Sequence, residues 1–223
     1  MDNPNLIGRK KARERFKKLL KSKKSEFLAV YGRRRVGKTF LIKEYFHYQF
    51  DFFMTGMANA STTQQLFNFD TEMNRQSHLV YDTPSTDWLE AFQRLRAHLE
   101  QKKKDGKLII FIDELPWMST HGSDFLMALE HFWNAWATHR TDVLLIVCGS
   151  AASWMLTEVI NSTGGLHNRV TAQMKIEPFT LGEAEELLKS NNCQLDRYQI
   201  IQLYMCLGGI PYYLAAVEPG KSA

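Results

Sequence analysis

The stretch Gly32-Arg33-Arg34-Arg35-Val36-Gly37-Lys38-Thr39 fits the spacing G-x-x-x-x-G-K-[ST], and each position has a physical use. Gly32 and Gly37 let the backbone turn tightly, so that successive N–H groups converge on phosphate oxygens. Lys38 supplies positive charge for the β- and γ-phosphates and Thr39 a hydroxyl for Mg²⁺. A helix opening there turns its positive end toward the anion. Phe40, next in the chain, belongs with the nucleotide-contacting set. Chance alone would produce the four fixed positions in about one such chain in a hundred. The match also lies between a strand signal and a helix signal, which favours a nucleotide-phosphate site.

Asp113-Glu114 follows the apolar run Leu108–Ile112. That order puts two carboxylates at the carboxyl edge of a parallel sheet, where α/β proteins bind ligands. Asp113 would hold magnesium, through water, and Glu114 would polarise the water attacking the γ-phosphate. Seen alone, the pair reads first as a solvent-facing acidic turn after a strand; the loop at 32–39 favours the catalytic reading. Gly149-Ser150 ends a second apolar run. Two readings stand for Ser150: a hydrogen bond to the attacking water or γ-phosphate, or a helix N-cap, which Ser153 would serve equally well. Arg169 follows the glycine-rich Gly164-Gly165-Leu166-His167-Asn168. It either meets the γ-phosphate, in its own subunit or across an interface, or pairs with a surface acid.

The net charge of +4 is unevenly spread, because residues 9–24 hold ten basic side chains against the lone Glu14. The remainder is net acidic. This basic helix is either a surface for phosphate backbones or acidic partners, or a solvated outer face. At least one of Arg33, Arg34 and Arg35 is a candidate to face a neighbouring subunit or nucleic acid. The seven histidines are scattered, so magnesium is the only metal expected. Cys148, Cys193 and Cys206 are far apart in apolar surroundings, which predicts buried free thiols in a reducing cytoplasm. Met118, Met127 and the tryptophans read as core. Lys102-Lys103-Lys104-Asp105-Gly106 reads as an exposed helix end and turn. No apolar run approaches the ~18 residues of a membrane span, and no secretory signal opens the chain.

The elements that must position these residues alternate. Helices are predicted at 9–22, 39–48, 62–74, 85–104 and 123–138, and strands at 27–31, 51–55, 108–112, 143–148 and 171–176. Strands apolar throughout and separated by helices predict a parallel sheet covered on both faces, an α/β fold. After Pro178 only helices follow, at 181–189, 195–207 and 211–217. That tail is too short to bury a core of its own and should pack on the sheet unit.

With these residues in hand, the chain resembles the archaeal and bacterial ATPase family on the AAA+/STAND side of the P-loop NTPases, from about Leu6 to Leu214. Leu6-Ile7-Gly8-Arg9 resembles the family's opening motif, whose backbone and apolar residue line the adenine pocket. Gly32–Thr39 resembles its phosphate loop, and Ile112-Asp113-Glu114-Leu115-Pro116-Trp117 its magnesium and catalytic motif. Cys148-Gly149-Ser150 is similar to the sensor position, Gly165–Arg169 to an arginine-bearing segment, and Gly209-Ile210-Pro211 to the lid G-x-P motif, whose proline approaches the base.

The resemblance implies a three-layer α/β/α sandwich with a mainly parallel sheet over residues 1–178 and a shortened helical lid over 179–223. It implies ATP and Mg²⁺ as cofactors, slow hydrolysis, and lid movement coupled to nucleotide state. An ATP hydrolase and a nucleotide-gated switch with little turnover are both compatible with these motifs. Output would need a C-terminal region or a protein partner. A second copy of the chain and a nucleic acid stay open as partners, and a cytoplasmic location is expected. A plain DNA-binding module is the weakest reading, lacking a recognition helix or stacking platform.

Overall fold

The computed structural model describes residues 6–77, 81–102, 105–120, 122–162, 166 and 168–220. Gly164, Gly165 and His167 of the glycine-rich segment, and Lys103-Lys104, lie outside the described residues.

Five strands form one sheet: β1 (Glu26–Tyr31), β2 (Phe52–Thr55), β3 (Leu108–Asp113), β4 (Val143–Gly149) and β5 (Ala172–Lys175), in the spatial order β2-β3-β4-β1-β5. Every neighbouring pair is parallel. The central strands are apolar between their ends because alternate residues enter two different cores. Phe27, Ala29, Ile110, Ile112, Leu145 and Val147 point to one face, and Leu28, Val30, Ile109, Phe111, Leu144 and Ile146 to the other.

The first face is covered by α3 (Thr62–Gln76), α4 (Trp88–Gln101) and α5 (Phe125–Ala135), and the second by α1 (Lys10–Leu20) and α2 (Lys38–Tyr45). This is the expected three-layer sandwich, with a sheet parallel in all its strands. Caps sharpen the boundaries. Ser61 and Gln64 form a capping box at α3, and Asp87 accepts from the Glu90 N–H at α4, which therefore starts at Trp88 and not at Ser85. After β4 a short α6 (Ala152–Trp154) runs into a π-helix over Met155–Ile160. β5 alternates buried and exposed residues, as an edge strand with a wet face does.

The C-terminal helices α7 (Leu181–Ser190), α8 (Arg197–Leu207) and α9 (Pro211–Leu214) correct one expectation. They bury a small core of their own, made by Phe179, Ala184, Leu188, Cys193, Ile200 and Leu214, while Ile210 joins the sheet's second core. Chain reversals at 191–196 and 208–210 fold the helices onto each other, so even this short tail encloses apolar surface. Two further expectations fail by helix geometry. Cys206 is exposed on α8, unlike the buried Cys148 and Cys193. Met127 lies on the outer side of α5, 49% exposed, whereas Met118 is buried. Among the described residues, no helix is long and apolar enough to cross a membrane.

Candidate nucleotide site

The loop between β1 and α2 begins where the chain passes the end of β5. Gly32 (φ 148°) lies so close there that a Cβ would come 2.4 Å from the Ile176 carbonyl oxygen. Gly37 (φ 84°) has open space where its Cβ would project, which leaves room for an anion over the loop. Lys38 is buried, and its Nζ curls back to donate to the carbonyls of Gly32 (3.0 Å) and Arg33 (3.1 Å). The ammonium is thereby fixed inside the loop.

Thr39 Oγ1 donates to Asp113 Oδ2 at 2.7 Å, joining the first turn of α2 to the last residue of β3. Asp113 is buried, and burial raises its carboxyl above the usual range; the Thr39 hydrogen bond opposes the shift and the Glu114 charge adds to it. Behind it, burial pushes the Cys148 thiol well up, with the Asp113 charge adding. A hydroxyl and a carboxylate in contact are hard oxygen donors of the kind Mg²⁺ takes, and that ion needs few protein ligands when phosphates and waters complete its shell. The residues fit the ion.

Glu114 sits in the left-handed region (φ 48°), uncommon for a non-glycine residue. Its Oε2 accepts from the Ser150 hydroxyl (3.0 Å) and the Ser150 N–H (3.3 Å). The N-cap alternative for Ser150 and Ser153 is corrected: α6 has Ala151 at its N-cap and no side-chain cap. With its hydroxyl turned to Glu114, Ser150 does not serve the helix.

The opposite wall is built by Arg9. Its N–H donates to Glu183 (2.8 Å), and its guanidinium donates to the carbonyls of Val36 (2.8 Å) and Glu177 (2.5 Å) and lies 4.6 Å from the Phe179 ring centre. Burial lowers the Arg9 pKa from its ordinary value, against the opposing pull of Glu183 and Glu177. Gly8 (φ 62°) permits the approach, since a Cβ there would meet the Glu183 side chain at 2.3 Å. Glu183 also closes the Thr180 capping box of α7. Burial would raise its carboxyl, but hydrogen bonds from the Arg9 and Thr180 N–H groups and the Thr180 hydroxyl leave it net lowered.

A cavity of about 450 Å³ lies between these walls. Of the residues expected from sequence, Ile7, Arg9, Arg34, Arg35, Val36, Gly37, Lys38, Thr39, Phe40, Glu114 and Pro211 line it. Gly8, Gly32, Arg33, Asp113 and Ser150 join through the contacts above. Arg169 does not come to the site: it is exposed and absent from the lining, and its N–H bonds the Leu166 carbonyl. Sequence reading missed Phe179, Leu187, Tyr212 and Ala215 on the C-terminal side of the cavity. The Thr180-x-x-Glu183 box was a readable signal for the first of these elements; the tyrosines after Pro211 were not assigned. Arg35 turns to its own chain, where its guanidinium lies 4.8 and 5.2 Å from the ring centres of Tyr212 and Tyr213. Arg33 and Arg34 are exposed.

An ATPase domain predominantly from Archaea matches residues 6–217 of the chain. An uncharacterized protein of Methanocaldococcus jannaschii is 25% identical over 211 residues, covering 89% of this chain and 41% of the relative, so the chain spans about two fifths of that protein's length. Among solved structures, a Walker-type ATPase of Pyrococcus abyssi superposes with a TM-score of 0.66 at 14% identity, over 95% of this chain and 66% of the other. The Aeropyrum pernix ORC2 protein, in ADPNP and ADP complexes, gives 0.61 at 15% identity, over 96% and 61%. A STAND protein with a tetratricopeptide repeat sensor from Pyrococcus horikoshii gives 0.58 at 15%, over 94% and 29%. These likenesses establish a shared P-loop ATPase fold.

Proposed function

The chain belongs to this family of ATPase domains, and from that premise we propose that it binds Mg²⁺-ATP in the cleft and hydrolyses it to ADP and phosphate. The observation that carries the reading is the 2.7 Å contact between Thr39 and Asp113, beside an ammonium fixed in the loop. The N–H groups of Gly32–Thr39 cradle the phosphates, and Lys38 offsets charge on the β- and γ-oxygens. Thr39 and Asp113 would hold Mg²⁺, which would neutralise phosphate charge. Glu114 orients and polarises the attacking water, and Ser150 positions the Glu114 carboxylate. Ile7, Gly8, Arg9 and Pro211 border the base, and Phe40 with Arg33, Arg34, Arg35 and Val36 completes the wall.

Residues 1–178 act as the engine and 179–223 as a lid whose position follows the nucleotide. Arg9 and Arg35 support that coupling, since each bridges the phosphate loop and the C-terminal helices. The same contacts favour the second reading, a nucleotide-gated switch with little turnover. Arg169, exposed and outside the cleft, acts across an interface with a second copy if it acts on the γ-phosphate. Output runs through a further C-terminal region or a protein partner in a reducing cytoplasm. Phosphate release from Mg²⁺-ATP over a range of protein concentrations, with Glu114→Gln as control, tests the proposal. Turnover abolished by the substitution supports the hydrolase; ATP binding without turnover in the native chain supports the switch.

A further inference from the structure

The outer face of α1 takes no part in the nucleotide cleft. Its apolar side, Ala12, Phe16 and Leu19, is buried in the second core. The remaining arc carries Lys10, Lys11, Lys17, Lys18 and Lys21, all exposed. Among the described residues none of these five ammonium groups has an ion-pair or hydrogen-bond partner. Surface cations on other helices are treated differently: Arg75 pairs with Glu72 at 2.5 Å, Arg96 with Glu100 at 2.9 Å and Lys189 with Glu185 at 2.6 Å. Among the described helices, only α1 sets cation against cation at i,i+4 spacing, as in Arg13 and Lys17, which opposes the helix it sits on.

An open cleft of about 730 Å³ runs from this face toward the start of β1. Arg15, Lys17, Lys18, Lys21 and Lys24 line it, against the acids Glu14 and Glu26. Glu26 is already satisfied by the hydroxyls of Ser22 and Thr171. The buried Arg15 Nε, by contrast, has no hydrogen-bond partner.

We propose that this face binds the sugar–phosphate backbone of duplex DNA, without sequence preference. The chemistry separates this partner from the other polyanions. Protein interfaces are depleted in lysine and built on aromatic anchors, and the cleft lining contains no aromatic residue. Single strands are held by stacking on aromatic rings, which this face lacks. A membrane-surface helix keeps an apolar side for the bilayer, whereas the apolar side of α1 is committed to the core. Duplex phosphates need only clustered, uncompensated cations.

The test is fluorescence anisotropy of a labelled DNA duplex of about 24 base pairs, titrated between 50 and 200 mM KCl; each phosphate neutralised contributes about 0.9 to the slope of log K against log salt. The expected slope is about −3 to −5, and the triple substitution Lys17→Ala, Lys18→Ala, Lys21→Ala reduces it by about 2–3 while leaving the thermal stabilisation by ATP intact. An unchanged slope in that variant, or no binding at 50 mM salt, overturns the proposal. So does equal or tighter binding of a single strand of the same length, of phosphatidylserine vesicles or of polyglutamate. The inference does not rest on the ATPase reading, and the ATP stabilisation reports separately on that site.

Discussion

Arg35 of the phosphate loop donates to the Tyr213 hydroxyl of α9 at 2.5 Å, across 178 residues of sequence, while its guanidinium lies over the Tyr212 ring. A residue of the loop between β1 and α2 is thus also tied to the C-terminal helices. All three side chains are exposed, so the pair is worth about 0.5–1 kcal/mol. Arg35→Ala should therefore weaken ATP binding about two- to fivefold by calorimetry. Combining it with Tyr212→Ala and Tyr213→Ala should cost little more, because both sets remove the same link. Full additivity would show that Arg35 acts through the phosphates alone.

The Lys38 ammonium is held inside the loop by two carbonyls. Lys38→Ala removes a charge-assisted contact worth about 1.5–3 kcal/mol, so ATP affinity should drop about 10- to 150-fold. Unchanged affinity would remove the phosphate role from this loop.

The contact between Glu114 and Ser150 separates chemistry from binding. Glu114→Gln should leave ATP affinity within about twofold and reduce phosphate release by at least about a hundredfold, the usual scale of general-base loss. Ser150→Ala frees the carboxylate without removing it, so kcat should fall by less, about tenfold, at constant ATP affinity. A Ser150→Ala effect on affinity in place of turnover would assign the hydroxyl to ground-state binding.

The glycine-spaced loop at 32–39, the acidic pair and strands β1 to β4 were legible in sequence because each rests on local chemistry: glycine spacing, a run of apolar residues, a carboxylate at a strand end. β5 was less legible, since an edge strand buries only one face and loses the continuous apolar signature. The Arg9 and Arg35 contacts with Glu183 and Tyr213 depend on where the C-terminal helices pack, and no local pattern encodes that. Ser150 was ambiguous for the opposite reason. A small hydroxyl after a strand suits a cap as well as a contact at the strand end, and its hydrogen bond to Glu114 sets the cap aside. Met127 and Cys206 were misjudged because composition alone does not say which side of a helix faces solvent.

A buried polar network away from the cleft should control stability. The Arg94 guanidinium, 7% exposed, donates to Glu90 (2.6 Å) and the Thr83 carbonyl (2.7 Å) and lies 3.5 Å from Asp70, whose carboxylate accepts from Ser85. Arg94→Ala would remove the cation facing the buried Asp70 carboxylate and leave it to the hydrogen bonds from Ser85. The expected loss is about 3 kcal/mol, read as a lower urea midpoint with an unchanged denaturant slope. A loss under ~1 kcal/mol would mean that water or Ser85 alone suffices for Asp70.

Glu90 gives this network a pH signature. The Thr86 N–H above all, then Arg94 and the Thr86 hydroxyl, hold its carboxyl down to about 2 from an ordinary 4.5. A depressed carboxyl means that the unfolded chain binds the proton more readily than the folded one. The contribution is therefore fully present above 4.5 and lost as pH falls from there toward 2. Because the side chain is about one third exposed (35%), solvent screening keeps the effect near the upper end of a surface pair, up to about 1 kcal/mol. Urea melts of the native chain and of Glu90→Gln should differ at pH 7 and converge as pH drops from 5 toward 3. A difference that stayed constant over that interval would show that Glu90 acts by packing and not by its charge.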